Sequence, residues 1–157
     1  KAPNGRPCVR FGRQVDGRSV QAPEHSMQSR NPAGVHAPVA AYSHQIEVSA
    51  GARWLVLSGQ IGLRLDGAPP SDPVEQIEVA LDNIRRNLEA AGMGVGDLIK
   101  LTFYLVGDID AERRKQALAA FLGDHRPCMT LLYVSALASP ALKVEIDAWA
   151  AREAPEA

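Results

Sequence analysis

Cys128, with His125 three residues before it, is the nearest approach in this chain to a nucleophile carrying its own base. A thiol attacks as its thiolate and needs a base or an electropositive surrounding to form it. His125 falls on a loop and nothing else close in sequence helps, so the pair reads as an inert thiol beside an ordinary imidazole. His44 has no acid or metal-ligating partner at a useful spacing and reads as a surface or core histidine. The two cysteines, Cys8 and Cys128, are far apart and lack a second pair at metal spacing, which points to free thiols rather than a disulfide framework or a zinc site. Gly92, Gly94 and Gly96 imitate a nucleotide-binding loop, but they follow a helix pattern instead of a strand, which removes that reading. No metal and no cofactor is expected.

The elements that would position a site become legible from Ser43 onward. Ile46 and Val48 mark a first strand, Ser49 to Ala52 a turn, and the apolar run Trp54-Leu55-Val56-Leu57 a second strand, predicted to form a hairpin with the first and to be buried on both faces. Asp66-Gly67 and Pro69-Pro70 break the chain before a helix start. There Asp72 is the N-cap, Pro73 the first helical residue and Glu75 the closing member of a capping box. Val74, Ile77, Leu81, Ile84 and Leu88 then give that helix one apolar stripe, ending at Gly92. Leu98 to Val106 alternates apolar and polar residues as a half-buried strand does, and a second helix from Asp110 to Leu122 ends at Gly123.

A strand from Met129 to Val134 and a last one alternating Leu142, Val144, Ile146 and Ala148 against Lys143, Glu145, Asp147 and Trp149 finish the pattern. Two helices cannot cover both faces of such a sheet. With both on the Leu142 side, the face carrying Glu145, Asp147 and Trp149 needs another cover, and a second subunit is expected, because Trp149 is a poor residue to leave on an open sheet.

The sequence has 157 residues, one domain's worth, and its 46% hydrophobic and 22% charged residues with a net charge of −1 describe a globular chain without general attraction to nucleic acid. No apolar run approaches the roughly 20 residues of a membrane span, so a soluble, cytoplasmic protein is expected. Residues 1–32, rich in Pro, Gly and Arg, read as an extension: a leader or appended segment, with Met27 as a candidate natural start, or less simply a targeting or partner-binding arm. Residues 33–152 form the domain and 153–157 a tail.

Ala41-Tyr42-Ser43-His44-Gln45, Leu57-Ser58-Gly59-Gln60-Ile61, Leu81-Asp82-Asn83-Ile84, Leu88-Glu89-Ala90-Ala91-Gly92 and Val144-Glu145-Ile146-Asp147-Ala148, in this order and over most of the domain, resemble the RidA/YjgF family. The resemblance implies an α+β fold of chorismate-mutase type, a mixed sheet with two helices on one face, assembled as a homotrimer. It also implies hydrolysis of reactive 2-imino or enamine acids, with ammonia released, in clefts between subunits. Residue by residue it places the glutamate that orients the attacking water on Glu145, the tyrosine lining the cleft on Tyr42, and a backbone and polar wall on Ser58, Gly59 and Gln60.

In that family an arginine on the penultimate strand grips the substrate carboxylate through two parallel hydrogen bonds. Counting back from Val134 puts Met129 at its place, with Leu131 further along the same strand as a second ligand-facing residue, and Lys115 replaces an asparagine. Losing one partner of a buried charge pair costs about 2–5 kcal/mol, so the archetypal deaminase activity is expected to fall away in favour of a less anionic or more apolar ligand. Lys115 and Arg126 are candidate substitute cations. Hydrolysis of a small imine, enamine or related carbonyl compound is thus one expectation. A non-catalytic trimeric ligand-binding or chaperone-like protein is another, and an endoribonuclease-like activity a third, which the near-neutral charge argues against. Under the first, Glu145 and Met129 line a single seam beneath the polar side of the last strand.

Overall fold

The computed structural model describes residues 27–154. Strands β1 (Gln28–Arg30) and β2 (Gln45–Glu47) form a small antiparallel sheet. The main sheet holds β3 (Arg53–Ile61), β4 (Leu98–Leu105), β5 (Cys128–Tyr133) and β6 (Val144–Arg152) in the order β3-β6-β4-β5. Only β4 and β5 pair in parallel. Helix α1 (Pro73–Ala90) precedes β4, helix α2 (Ala111–Leu122) links β4 to β5, and both helices pack on one face.

Both helices begin where local chemistry dictates. Asp72 accepts from the Val74 N–H at 3.0 Å ahead of Pro73, and Asp110 accepts from Glu112 and Arg113 N–H, both at 3.0 Å. Gly92 and Gly123 follow the two helices with φ of 67° and 56°, the left-handed region where a side chain is strained. Glu75 does not close a capping box: its carboxylate is drawn off to Arg64 in an ion pair. The α1 stripe buries Val74, Ile77, Leu81, Ile84 and Leu88 against Leu101, Phe103, Val144, Ile146 and Ala148 of the sheet.

Two expectations about the strands fail. β2 pairs with β1, built from the end of the supposed extension, while β3 pairs with β6, so no β2–β3 hairpin forms. Nor is β3 buried on both faces. Leu57 is in the core, but Trp54 and Val56 are 51% and 57% exposed, because both helices are committed to the other face. Trp54 meets Trp149 edge-on, ring centroids 6.3 Å apart, and Val56 stands opposite Trp149. The helix-free face is therefore lined by Trp54, Val56 and Trp149 at one end and by Tyr104, Leu132, Glu145 and Asp147 at the other. Residues 1–26, which make up most of the expected extension, and 155–157 lie outside the described residues. Among the described residues no helix is long and apolar enough to cross a membrane.

Candidate functional site

Side chains of residues paired across a sheet share a face, and the register divides the expected site in two. Glu145 is opposite Tyr104, which is opposite Leu132, on the helix-free face. Met129 is opposite Leu101, which is opposite Ala148, on the face packed against the helices. Within one chain Glu145 and Met129 therefore do not line a common seam, and that expectation is corrected. The cause is α2: it packs beside the start of β5, where its Leu118 and Met129 join the same core, so the odd-numbered side chains of β5 are on the helix side.

The Glu145 side is held by a bulge in β3. The β3–β6 register shifts between Leu57 and Gln60, which lets Gly59 approach the neighbouring strand closely. A Cβ on Gly59 would lie 1.9 Å from Glu145 Oε1, so only glycine leaves the carboxylate where it is. Gly59, Tyr104, Glu145 and Asp147 line an open hollow of about 330 Å³. The negative charge of Asp147, with burial, a hydrogen bond from the phenol and the charge of Glu145 behind it, raises the Tyr104 hydroxyl above the usual tyrosine range. Asp147 Oδ1 is buried with no hydrogen-bond donor from the described residues.

The other side is a cavity of about 270 Å³ that gathers Tyr42, Phe103, Arg114, Lys115, Met129 and Leu131. Four of the expected ligand residues, Tyr42, Lys115, Met129 and Leu131, thus do come together. Tyr42 is set in place by an edge-on contact with His44 at 5.4 Å, and His44 Nε2 is 2.7 Å from the His36 carbonyl. Gln60 is on neither site: its Oε1 accepts from Asn87 Nδ2 of α1 at 3.2 Å and its amide donates to the Ser58 carbonyl. Ser58 is exposed in the bulge.

Neither expected substitute cation is uncommitted. Lys115 Nζ is 2.7 Å from Glu112, and Arg126 donates to the Gly123 and His125 carbonyls of its own loop. The cation that sequence reasoning missed is Arg114, half-buried at the cavity; its position in a run of three basic residues on α2 was the available signal. Cys128 is pushed above the usual thiol range by burial, against the pull of Lys100, which agrees with an inert thiol. His125 Nε2 is 2.7 Å from the Leu98 carbonyl, a structural contact.

A mixed four-stranded sheet with both helices on one face, a bulge glycine under a carboxylate and a cavity at the α2 edge define an α+β protein with a small-molecule-sized site. Residues 34–152 match the family model described as Endoribonuclease L-PSP, and the chain belongs to this family, that of RidA/YjgF. It is 31% identical over 118 residues to a RutC family protein of Pyrococcus horikoshii, covering 74% of this chain and 90% of the relative. It is also 32% identical over 102 residues to the 2-iminobutanoate/2-iminopropanoate deaminase of Escherichia coli, covering 62% and 79%. Among solved structures, the Rid family protein YyfB of Yersinia pestis superposes with a TM-score of 0.70 at 28% identity, covering 79% of this chain and 97% of that one.

Proposed function

We propose that this protein hydrolyses a small imine, enamine or related carbonyl compound in a cleft between two copies of the chain within a homotrimer, with Glu145 orienting the attacking water. The water adds to the carbon of the protonated C=N group as Glu145 takes one of its protons, giving a carbinolamine. Glu145 then returns that proton to the nitrogen, the C–N bond breaks to release ammonia, and the hydroxyl loses its proton to solvent as the carbonyl forms. The observation that carries this reading is the Gly59 cradle, which fixes the Glu145 carboxylate at the rim of an open hollow. The two unlike half-sites on opposite faces favour a cleft completed by a neighbour, as do the exposed Trp54, Val56 and Trp149 and the undonated Asp147 oxygen on the helix-free face. The 32% identity to a 2-imino acid deaminase supports the reaction class.

Met129 lowers the expected affinity for the shortest 2-imino acids and suits a more apolar substrate. The test is ammonia release from freshly generated 2-aminoacrylate and from larger imines by the wild type, Glu145→Gln and Met129→Arg. Glu145→Gln should lose at least about a hundredfold in kcat/KM on whichever imine is turned over. Met129→Arg should gain activity on 2-aminoacrylate. If neither the wild type nor Met129→Arg hydrolyses any imine, the non-catalytic ligand-binding reading replaces this one.

A further inference from the structure

We infer that Arg114 is the anion-binding group of the Met129 cavity, and that the cavity takes a small monocarboxylate with an apolar body. The inference rests on reading this cavity as half of a ligand site and adds the class of ligand.

The lining is largely apolar: Val39, Phe103, Leu118, Met129 and Leu131 line a partly open cavity of about 270 Å³. At about 30 Å³ for each water of liquid volume, that space has room for about nine waters, enough for the body of a six-carbon oxo acid. Three basic side chains, Arg113, Arg114 and Lys115, stand near the start of α2, and their partners differ. Arg113 is paired with Asp72 and Lys115 with Glu112. Arg114 donates from Nη1 to the Tyr133 hydroxyl at 2.9 Å, and among the described residues no carboxylate oxygen lies within 4.0 Å of it. A guanidinium has five N–H donors, so most of its capacity is free, and the Tyr133 contact holds the side chain at the cavity without neutralising it.

Its place on the helix sharpens the point. Arg114 is in the first turn of α2, where the macrodipole disfavours a cation by a few tenths of a kcal/mol or more and favours an anion. Helix stability thus gives no reason for a half-buried arginine there without a carboxylate partner among the described residues, whereas a carboxylate arriving at the cavity mouth would answer the guanidinium, the helix end itself being capped by Asp110. Met129 then has an apolar part to fill. Where an arginine at position 129 would hold a carboxylate deep beside β5, here the charge is received at α2 and the apolar chain lies over Met129 and Leu131.

Binding to the full chain is measured by calorimetry with three probes: 4-methyl-2-oxopentanoate, its neutral analogue 4-methyl-2-pentanone, and pyruvate. The branched oxo acid should bind at least about tenfold more tightly than either of the others. Arg114→Gln should weaken the branched acid about tenfold or more while leaving the ketone within twofold, and Arg114→Lys should keep part of the affinity. Equal affinity of the wild type for acid and ketone overturns the inference. So does a loss that appears in Lys115→Gln while Arg114→Gln binds as the wild type does. A protein that binds the branched acid through Arg114 yet hydrolyses no imine refutes the catalytic reading alone, and the converse result refutes this inference alone.

Discussion

Gln76 is the residue whose loss should cost most for its size. It sits on the buried stripe of α1, 1% exposed, and its amide satisfies three backbone groups from distant segments. Nε2 donates to the Pro70 carbonyl at 2.7 Å and to the Ala141 carbonyl at 3.0 Å, and Oε1 accepts from the Lys143 N–H at 2.8 Å. It thereby ties the segment entering α1 to the start of β6, two residues before Glu145. Gly62 packs directly on it, since a Cβ there would lie 2.5 Å from Gln76 Cβ. Gln76→Met keeps the volume and removes the hydrogen bonds, leaving two carbonyls and one N–H without their partner.

At about 1 kcal/mol net for each bond, and up to about 3 for a group left fully unsatisfied, the loss should be about 3–5 kcal/mol. That is a drop of roughly 10 °C or more in Tm for a domain of this size. Urea unfolding at fixed protein concentration gives the number, with an unchanged slope expected because the surface exposed on unfolding is the same. A Gln76→Met variant within about 1 kcal/mol of the wild type would refute the reasoning, since it would mean that the three backbone groups find other partners.

Gly59→Ala should leave the fold melting within a few degrees while kcat/KM falls about a hundredfold, because the new Cβ displaces the Glu145 carboxylate and not backbone; unchanged turnover alongside an unchanged melt would count against the cradle. Arg152 and the Gly94 N–H hold the Asp97 carboxyl below the ordinary range although burial pulls the other way, so its stabilising contribution is present above about pH 4 and is lost as the pH falls through the depressed value. Asp97→Asn should accordingly lose about 1 kcal/mol at pH 7 and show a shallower acid decline than the wild type, with parallel pH curves as the contrary result. Trp149→Glu should reduce the mass seen by analytical ultracentrifugation if the helix-free face is covered by a second copy, and an unaltered mass would place the interface elsewhere.

The helices, β4 and the inward face of β6 were legible in the sequence because their signals are local. A cap such as Asp72 with Pro73, a terminating Gly92 and a two- or four-residue apolar period act within a few residues, and no partner has to be known. The family fragments carried the position of Glu145 for the same reason, as one residue in a contiguous motif. The run Trp54-Leu55-Val56-Leu57 could not say which face of β3 is covered, since an apolar stretch reads the same whether helices or nothing lies above it. The partner of β2 and the closeness of Gly59 to Glu145 depend on which distant strands meet and in what register, and strand pairing is fixed by the whole sheet. The sides taken by Met129 and Glu145 were decided in the same way: a period of two assigns faces within each strand, but only the parallel pairing of β5 with β4 under α2 turns Met129 inward while Glu145 faces out. Arg114 became visible only when α2 was laid against β5, because the Tyr133 hydroxyl it donates to and the cavity beside it are not properties of its neighbours in the chain.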